Sequence, residues 1–135
     1  MKVLVDTSVW SLALRRARRP VDRVAAQLAE LIQEGRVVMI GAIRQELLSG
    51  IKDGRQFEEL RERLQAFPDL KLTEADYEQA AAFFNTCRAR GIQGSNTDFL
   101  ICAVAAQRGL SIFTTDGDFG HFKRVLQLEL HPVRK

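Results

Sequence analysis

The chain reads as an α/β protein, a three-layer α/β/α sandwich around a central parallel sheet of about five strands, with residues 1–135 forming a single domain. Two observations predict this. Short β-prone runs alternate with longer stretches of helical periodicity, in the order strand, helix pair, strand, helix pair, strand, long helix, helix, strand, helix, strand. Two of those runs, Val3-Leu4-Val5 and Ile112-Phe113, pass straight into hydroxyl residues and an acid, Asp6-Thr7-Ser8 and Thr114-Thr115-Asp116. A parallel strand delivers side chains to a ligand crevice at its carboxyl end in this way.

The strands fall at residues 2–5, 37–40, 70–72, 111–114 and 126–131. After the first strand, one helix opens near Ser8, and another carries Val24, Leu28, Leu31 and Ile32 at helical spacing up to a stop at Gly35. After the second, Ile43, Leu47 and Ile51 mark the buried stripe of a helix that contains Glu46. Phe57, Leu60 and Leu64 then form a narrow stripe on an otherwise charged helix within residues 54–67. Thr73 is the N-cap candidate of the long helix, with Glu74 and Asp76 as first-turn acids; it runs through Phe83, Phe84 and Cys87 and ends before Gly91. A glycine-bearing loop at residues 91–95 leads into a helix that is apolar nearly all round over residues 99–106. A short helix with Phe119 and Phe122 precedes the last strand.

A hydrophobic content of 46% is enough for one core. No run approaches the ~18 apolar residues of a membrane span, and Asp6 brings a charge too early for a secretory leader. A soluble, cytoplasmic protein is expected. Cys87 and Cys102 lie among apolar neighbours without metal-ligand or oxidoreductase spacing, and read as reduced core residues. The net charge of +3 sits beside a rim rich in acids, so the remaining surface is more basic still, which favours a polyanionic ligand. Arg15, Arg16, Arg18 and Arg19 form the densest basic block, suited either to phosphate contacts or to a solvated helix end.

Four acids would meet at one edge of the sheet: Asp6 and Asp116 ending strands, and Glu46 and Asp98 on helices. Each has an ordinary explanation taken singly. Asp6 could cap the helix that follows, Glu46 could be a surface residue, and Asp116-Gly117 could be a turn. Asp98 shares a helical face with Ile101, Cys102 and Ala105, so it aims inward; Ser95, Asn96 or Thr97 could cap that helix and free it. Asp118 is either a further acid of the site or the cap of the short helix. Ala42, Ser49 and Gly50 leave space around Glu46. Like charges crowded in a cleft repel unless a cation joins them, and oxygen ligands without a neighbouring Cys or His suit Mg2+ or Mn2+ rather than zinc. His121 and His131 read as surface or strand-end residues.

The ordered set resembles the PIN-domain ribonucleases, and within them the VapC toxins of prokaryotic toxin–antitoxin pairs. The resemblance rests on Val5-Asp6-Thr7-Ser8, on Glu46, on Asn96-Thr97-Asp98 leading into Phe99-Leu100-Ile101-Cys102-Ala103, and on Thr114-x-Asp116-x-Asp118-Phe119, and it spans nearly the whole chain. It implies a PIN-domain sheet of order 3-2-1-4-5, with the topological switch point between the strands that end at Asp6 and Asp116. It implies that Asp6, Glu46, Asp98 and Asp116 are both the catalytic and the metal-binding quartet. Thr114 would orient an acid or a water, and Asp118 is a less firmly matched fifth acid. The activity implied is Mg2+- or Mn2+-dependent endoribonuclease cleavage that leaves a 3′-hydroxyl and a 5′-phosphate, with transfer or ribosomal RNA as substrate and inhibition of translation as the result. A small VapB-type antitoxin covering the acidic groove and a homodimer are the partners implied, and Arg15, Arg16, Arg18 and Arg19 are left to serve the RNA backbone.

Other classes fit less well. A haloacid-dehalogenase-type phosphotransferase also has an Asp after its first strand but needs a second acid two residues on, where this chain has Ser8. A response-regulator receiver would need paired acids at Asp6 and a lysine after the last strand, whereas Lys123 lies in a helical pattern. A non-catalytic nucleic-acid-binding module leaves the acids unexplained, because carboxylates hinder phosphate binding without a cation.

Overall fold

The computed structural model describes residues 1–15 and 23–133. The chain runs β1 (Val3–Val5), α1 (Thr7–Arg15), α2 (Arg23–Gln33), β2 (Val37–Val38), α3 (Gly41–Leu48), α4 (Gly54–Leu64), α5 (Glu74–Ala89), α6 (Asn96–Arg108), β3 (Ser111–Phe113), α7 (Asp118–Lys123) and β4 (Glu129–Leu130). This is the predicted alternation of elements, except that no strand stands between α4 and α5. The sheet is parallel throughout, in the order β2-β1-β3-β4. Every residue of β1 and β3 is buried, with no alternation, so both faces of the central pair are covered by helices. Val5 pairs with Phe113, so the two strands end level with each other. From β1 the chain winds towards β2, and from β3 it winds the opposite way to β4. The reversal between β1 and β3 opens a crevice at their carboxyl ends.

The strand expected at residues 70–72 does not form. In its place a single parallel bridge joins Met39 to Asp69, with the Leu70 amide donating to the Met39 carbonyl over 2.8 Å. Pro68 has no N–H to extend a ladder. Arg44 satisfies this stretch instead: its guanidinium donates to the Leu64 carbonyl over 3.1 Å, to the Phe67 carbonyl, and to Asp69 over 2.9 Å. The bridge stands where the third strand of the implied order would lie. The last strand is also shorter than expected, because the Val125 and Leu126 amides still bond to the Phe122 carbonyl and prolong the helical turn.

α6 explains its own sequence. Phe99, Leu100, Ile101, Cys102, Ala103, Val104 and Ala105 are all buried, and Gly109 ends the helix in the left-handed conformation at φ 65°. The loop before it rests on the aromatic core. A Cβ on Gly94 would stand 2.6 Å from the Phe122 ring and 3.0 Å from the Phe99 ring, so only glycine lets the chain pass here. Phe99, Phe113, Phe119 and Phe122 are buried, and the Phe99–Phe122 and Phe119–Phe122 ring pairs lie 4.8 and 5.2 Å apart. Leu64 and Cys87 are buried while Leu60, Phe83 and Phe84 are half-buried, so the two narrow stripes are largely core. Both cysteines are free and buried.

Candidate functional site

Asp6 follows the last residue of β1 and is only 5% exposed. Its backbone carbonyl accepts the Val9 and Trp10 amides and so starts α1, but its carboxylate does not cap that helix. Oδ2 accepts the Ser8 hydroxyl over 2.8 Å and the Thr114 hydroxyl over 2.7 Å, while Oδ1 has no donor among the described residues. The two hydroxyls reach further. Ser8 Oγ accepts the Thr115 amide over 3.0 Å, and Thr114 Oγ1 accepts the Asp116 amide over 3.0 Å. With both hydroxyl protons given to Asp6, one carboxylate oxygen stitches the end of β1 to the turn after β3. The capping reading of Asp6 is therefore set aside.

Glu46 lies in the second turn of α3, exposed, and Thr7 Oγ1 donates to its Oε1 over 2.6 Å. That bond, from the residue next to Asp6, ties α3 to the same rim. Asp98 is the third residue of α6 and forms a reciprocal capping box: the Ser95 amide donates to Asp98 Oδ2, and Ser95 Oγ accepts the Asp98 amide, both over 3.0 Å. Ser95 is the cap, as anticipated, but Asp98 is not wholly freed by it. One of its oxygens is committed and the other is available.

The Asp116 carboxylate is half-buried and accepts the Asp118 amide over 2.9 Å. It thereby supplies the turn that starts α7, so Asp118 does not cap the short helix; it is an exposed first-turn residue. Burial pushes the Asp98 carboxyl up from its ordinary value, Ser95 pulls it down, and the charges of Asp6 and Asp116 push it up further. The three acids thus share one electrostatic neighbourhood. The Cys102 thiol, buried beneath them, is driven strongly upward by burial first and then by Asp98, and stays neutral.

Of the predicted residues, the fold gathers Asp6, Asp98, Asp116 and Thr114 at the switch point, with Glu46 attached through Thr7 and Asp118 beside Asp116. His131 lies elsewhere, its ring 5.1 Å from that of Phe113 and its Nε2 3.2 Å from Gln27. Arg16, Arg18 and Arg19 lie outside the described residues, as does the side chain of Arg15, the last residue of α1. Thr7 and Ser8, placed in sequence only as hydroxyls following a strand, take up definite roles here: Thr7 holds Glu46 and Ser8 holds Asp6.

A family model for the PIN domain matches residues 3–125. The chain belongs to the PIN-domain family. This PIN domain is 30% identical to ribonuclease VapC11 of Mycobacterium tuberculosis over 136 aligned residues, which cover 98% of the chain and 99% of the relative. That likeness over the full length places it among the VapC proteins. Its fold matches that of FitAcB from Neisseria gonorrhoeae with a TM-score of 0.75 and 27% identity, over 96% of this chain and 97% of that one. VapBC2 from Rickettsia felis, solved bound to a DNA fragment from their promoter, matches with a TM-score of 0.78 over 97% and 98% of the two chains; at 18% identity this is a likeness of fold. Among the described residues of this PIN domain, no helix is long and apolar enough to cross a membrane.

Proposed function

We propose that this chain is a metal-dependent endoribonuclease, the toxin of a toxin–antitoxin pair, which hydrolyses transfer or ribosomal RNA and so halts translation. The observation that carries this reading is that Asp6 and Asp116 follow the ends of neighbouring strands and are linked through Thr114, with Glu46 held to the same rim by Thr7. Likeness to named VapC ribonucleases supports the reaction class.

The donor set fits a hard divalent cation. It offers carboxylate oxygens only, Asp6 Oδ1 has no donor among the described residues, and Asp98 is held up in part by its acidic neighbours, a repulsion that a cation would relieve. Among the described residues no three acids stand close enough together to hold a metal ion as they are. Carboxylates without a counter-charge repel, and a cation between them would draw them together. Asp6, Glu46, Asp98 and Asp116 would hold Mg2+ or Mn2+, with Thr114 and Asp118 in support. When bound, such an ion neutralises the acids, polarises a phosphodiester and activates water.

Ser8 and Thr114 keep Asp6 in one orientation throughout. Glu46, anchored through Oε1, has its second oxygen available to take the proton of the attacking water. In-line displacement breaks the P–O3′ bond, and the departing oxygen takes a proton from solvent, which leaves a 3′-hydroxyl and a 5′-phosphate. α1 leads from the rim at Thr7 to Arg15 over nine residues, about 13 Å, so Arg15, Arg16, Arg18 and Arg19 follow a helix that starts at the site and can grip phosphates beyond it. The cognate partner is a VapB-type antitoxin, an Arg of which would neutralise the acids directly, and a second copy of the chain completes the assembly.

The test is cleavage of total RNA by antitoxin-free protein in Mg2+ or Mn2+ and in EDTA, with Asp6→Asn and Asp98→Asn alongside. Fragments that need the metal and vanish in both variants are expected. Near wild-type cleavage by either variant would overturn the quartet, and RNA binding with no cleavage would move the chain to a non-catalytic binding module.

A further inference from the structure

Beside the acids, and sharing only Glu46 with them, lies a solvent-open pocket of about 520 Å³. One face of α3 lines it with Ala42, Gln45, Glu46 and Ser49, spaced i, i+3, i+4 and i+7, and Thr7 and Thr97 close it from the starts of α1 and α6. We propose that this pocket receives an unpaired nucleobase next to the scissile phosphate, with Gln45 and Thr97 reading its hydrogen-bonding edge. The inference rests on the nuclease reading and adds a specificity site to it.

Three observations select a base over a phosphate or an apolar group. No Lys or Arg is among the lining residues described, so the described lining offers no cation to a phosphate. The lining is uncharged and polar otherwise, and the small side chain of Ala42 leaves depth. The side-chain amide of Gln45 and the hydroxyl of Thr97 have no partners among the described residues, whereas Ser49 Oγ is already spent on the Gln45 carbonyl over 2.7 Å. Gln45 therefore offers both a donor and an acceptor, and Thr97 a hydroxyl that serves as either.

Position does the rest. Thr7 adjoins Asp6 and Thr97 adjoins Asp98, so a nucleotide whose phosphate sits at the acids has its base within reach of this pocket. No aromatic ring is among the described lining residues, so recognition comes from the base edge and not from stacking. Such a site discriminates among bases more than it adds to general affinity.

The test uses short single-stranded RNAs that contain one mapped cleavage site and differ only in the bases flanking it, cut in Mn2+ by wild type, Gln45→Ala and Thr97→Val. The readout is the ratio of kcat/KM between the best and worst base at each flanking position. At one position the wild type is expected to discriminate, and Gln45→Ala to reduce that ratio about tenfold, with Thr97→Val moving it the same way. A ratio unchanged in both variants, or a wild type indifferent to flanking bases, overturns the base pocket while leaving the nuclease intact. Failure of the wild type to cut any RNA overturns the nuclease reading instead, and this inference with it.

Discussion

Three hydroxyls do for this site what three further charges could not. Ser8 and Thr114 hold Asp6 by one oxygen, and Thr7 holds Glu46, so two acids from different elements are oriented without any cation to compete with a metal. Thr114→Val keeps the shape of the side chain but removes the donor to Asp6 and the acceptor of the Asp116 amide. Its expected cost is about 1–2 kcal/mol in a urea titration, with cleavage reduced more than tenfold and restored by Thr114→Ser. Thr7→Val separates the two effects. Glu46 is exposed, so stability should change by less than about 0.5 kcal/mol while cleavage still falls severalfold. Full activity in both valine variants would show that the hydroxyls do not position the acids. The residue types at these positions were legible from the sequence, and their partners were not. Asp-Thr-Ser after a strand has the composition of a helix cap, and only the register of β1 against β3 brings Ser8 beside Thr114.

Among the elements, α5 and α6 are joined by a buried charge pair remote from the acids. Asp76, with its side chain fully buried, completes the capping box of α5 with Thr73 and pairs with Arg108 in the last turn of α6. The hydrogen-bonded Arg108 guanidinium is the main cause that lowers the Asp76 carboxyl from 3.8 to about 2, against the upward push of burial. A carboxyl lowered on folding binds its proton less readily in the native chain than in the unfolded one. Its contribution, about 2 kcal/mol, is therefore complete above the unfolded value near 4 and is lost as pH falls towards 2. Asp76→Asn should destabilise the fold by about 3 kcal/mol at pH 7, where Arg108 is left unpaired, and the gap to wild type should narrow by about 2 kcal/mol at pH 2. Urea midpoints across that range would measure it, and a gap independent of pH would rule the pair out as the cause. The sequence displayed Asp76 only as a first-turn acid. Helix order and spacing were legible because Gly35, Gly91 and Gly109 punctuate the periodic stretches, whereas the ending of the third strand as a single bridge was not, since Arg44 takes up the carbonyls of Leu64 and Phe67 from 20 and 23 residues away.

For the molecule as a whole, the switch-point crevice sets up a conflict of charge that the basic remainder of the chain does not relieve. The net charge is +3, yet burial and like charge raise Asp98 at the crevice. A cation bound there stabilises the native state alone, because the unfolded chain scatters the four acids along its length. At Mn2+ one hundred times its dissociation constant, the gain is about 2.7 kcal/mol, which for a chain of this size raises Tm by about 10 °C. EDTA should reverse it. Asp6→Asn should lose the Mn2+ shift but keep its own folded baseline, because the amide still accepts hydrogen bonds from Ser8 and Thr114. The same conflict governs RNA. In EDTA the crevice repels phosphate, so wild type should bind a non-cleaved single-stranded RNA analogue weakly, and added Mn2+ or the double substitution Asp6→Asn, Asp98→Asn should each tighten binding. If binding were instead strongest in EDTA with every acid intact, the crevice would not lie on the path of the RNA, and the arginines after α1 would have to account for recognition without it.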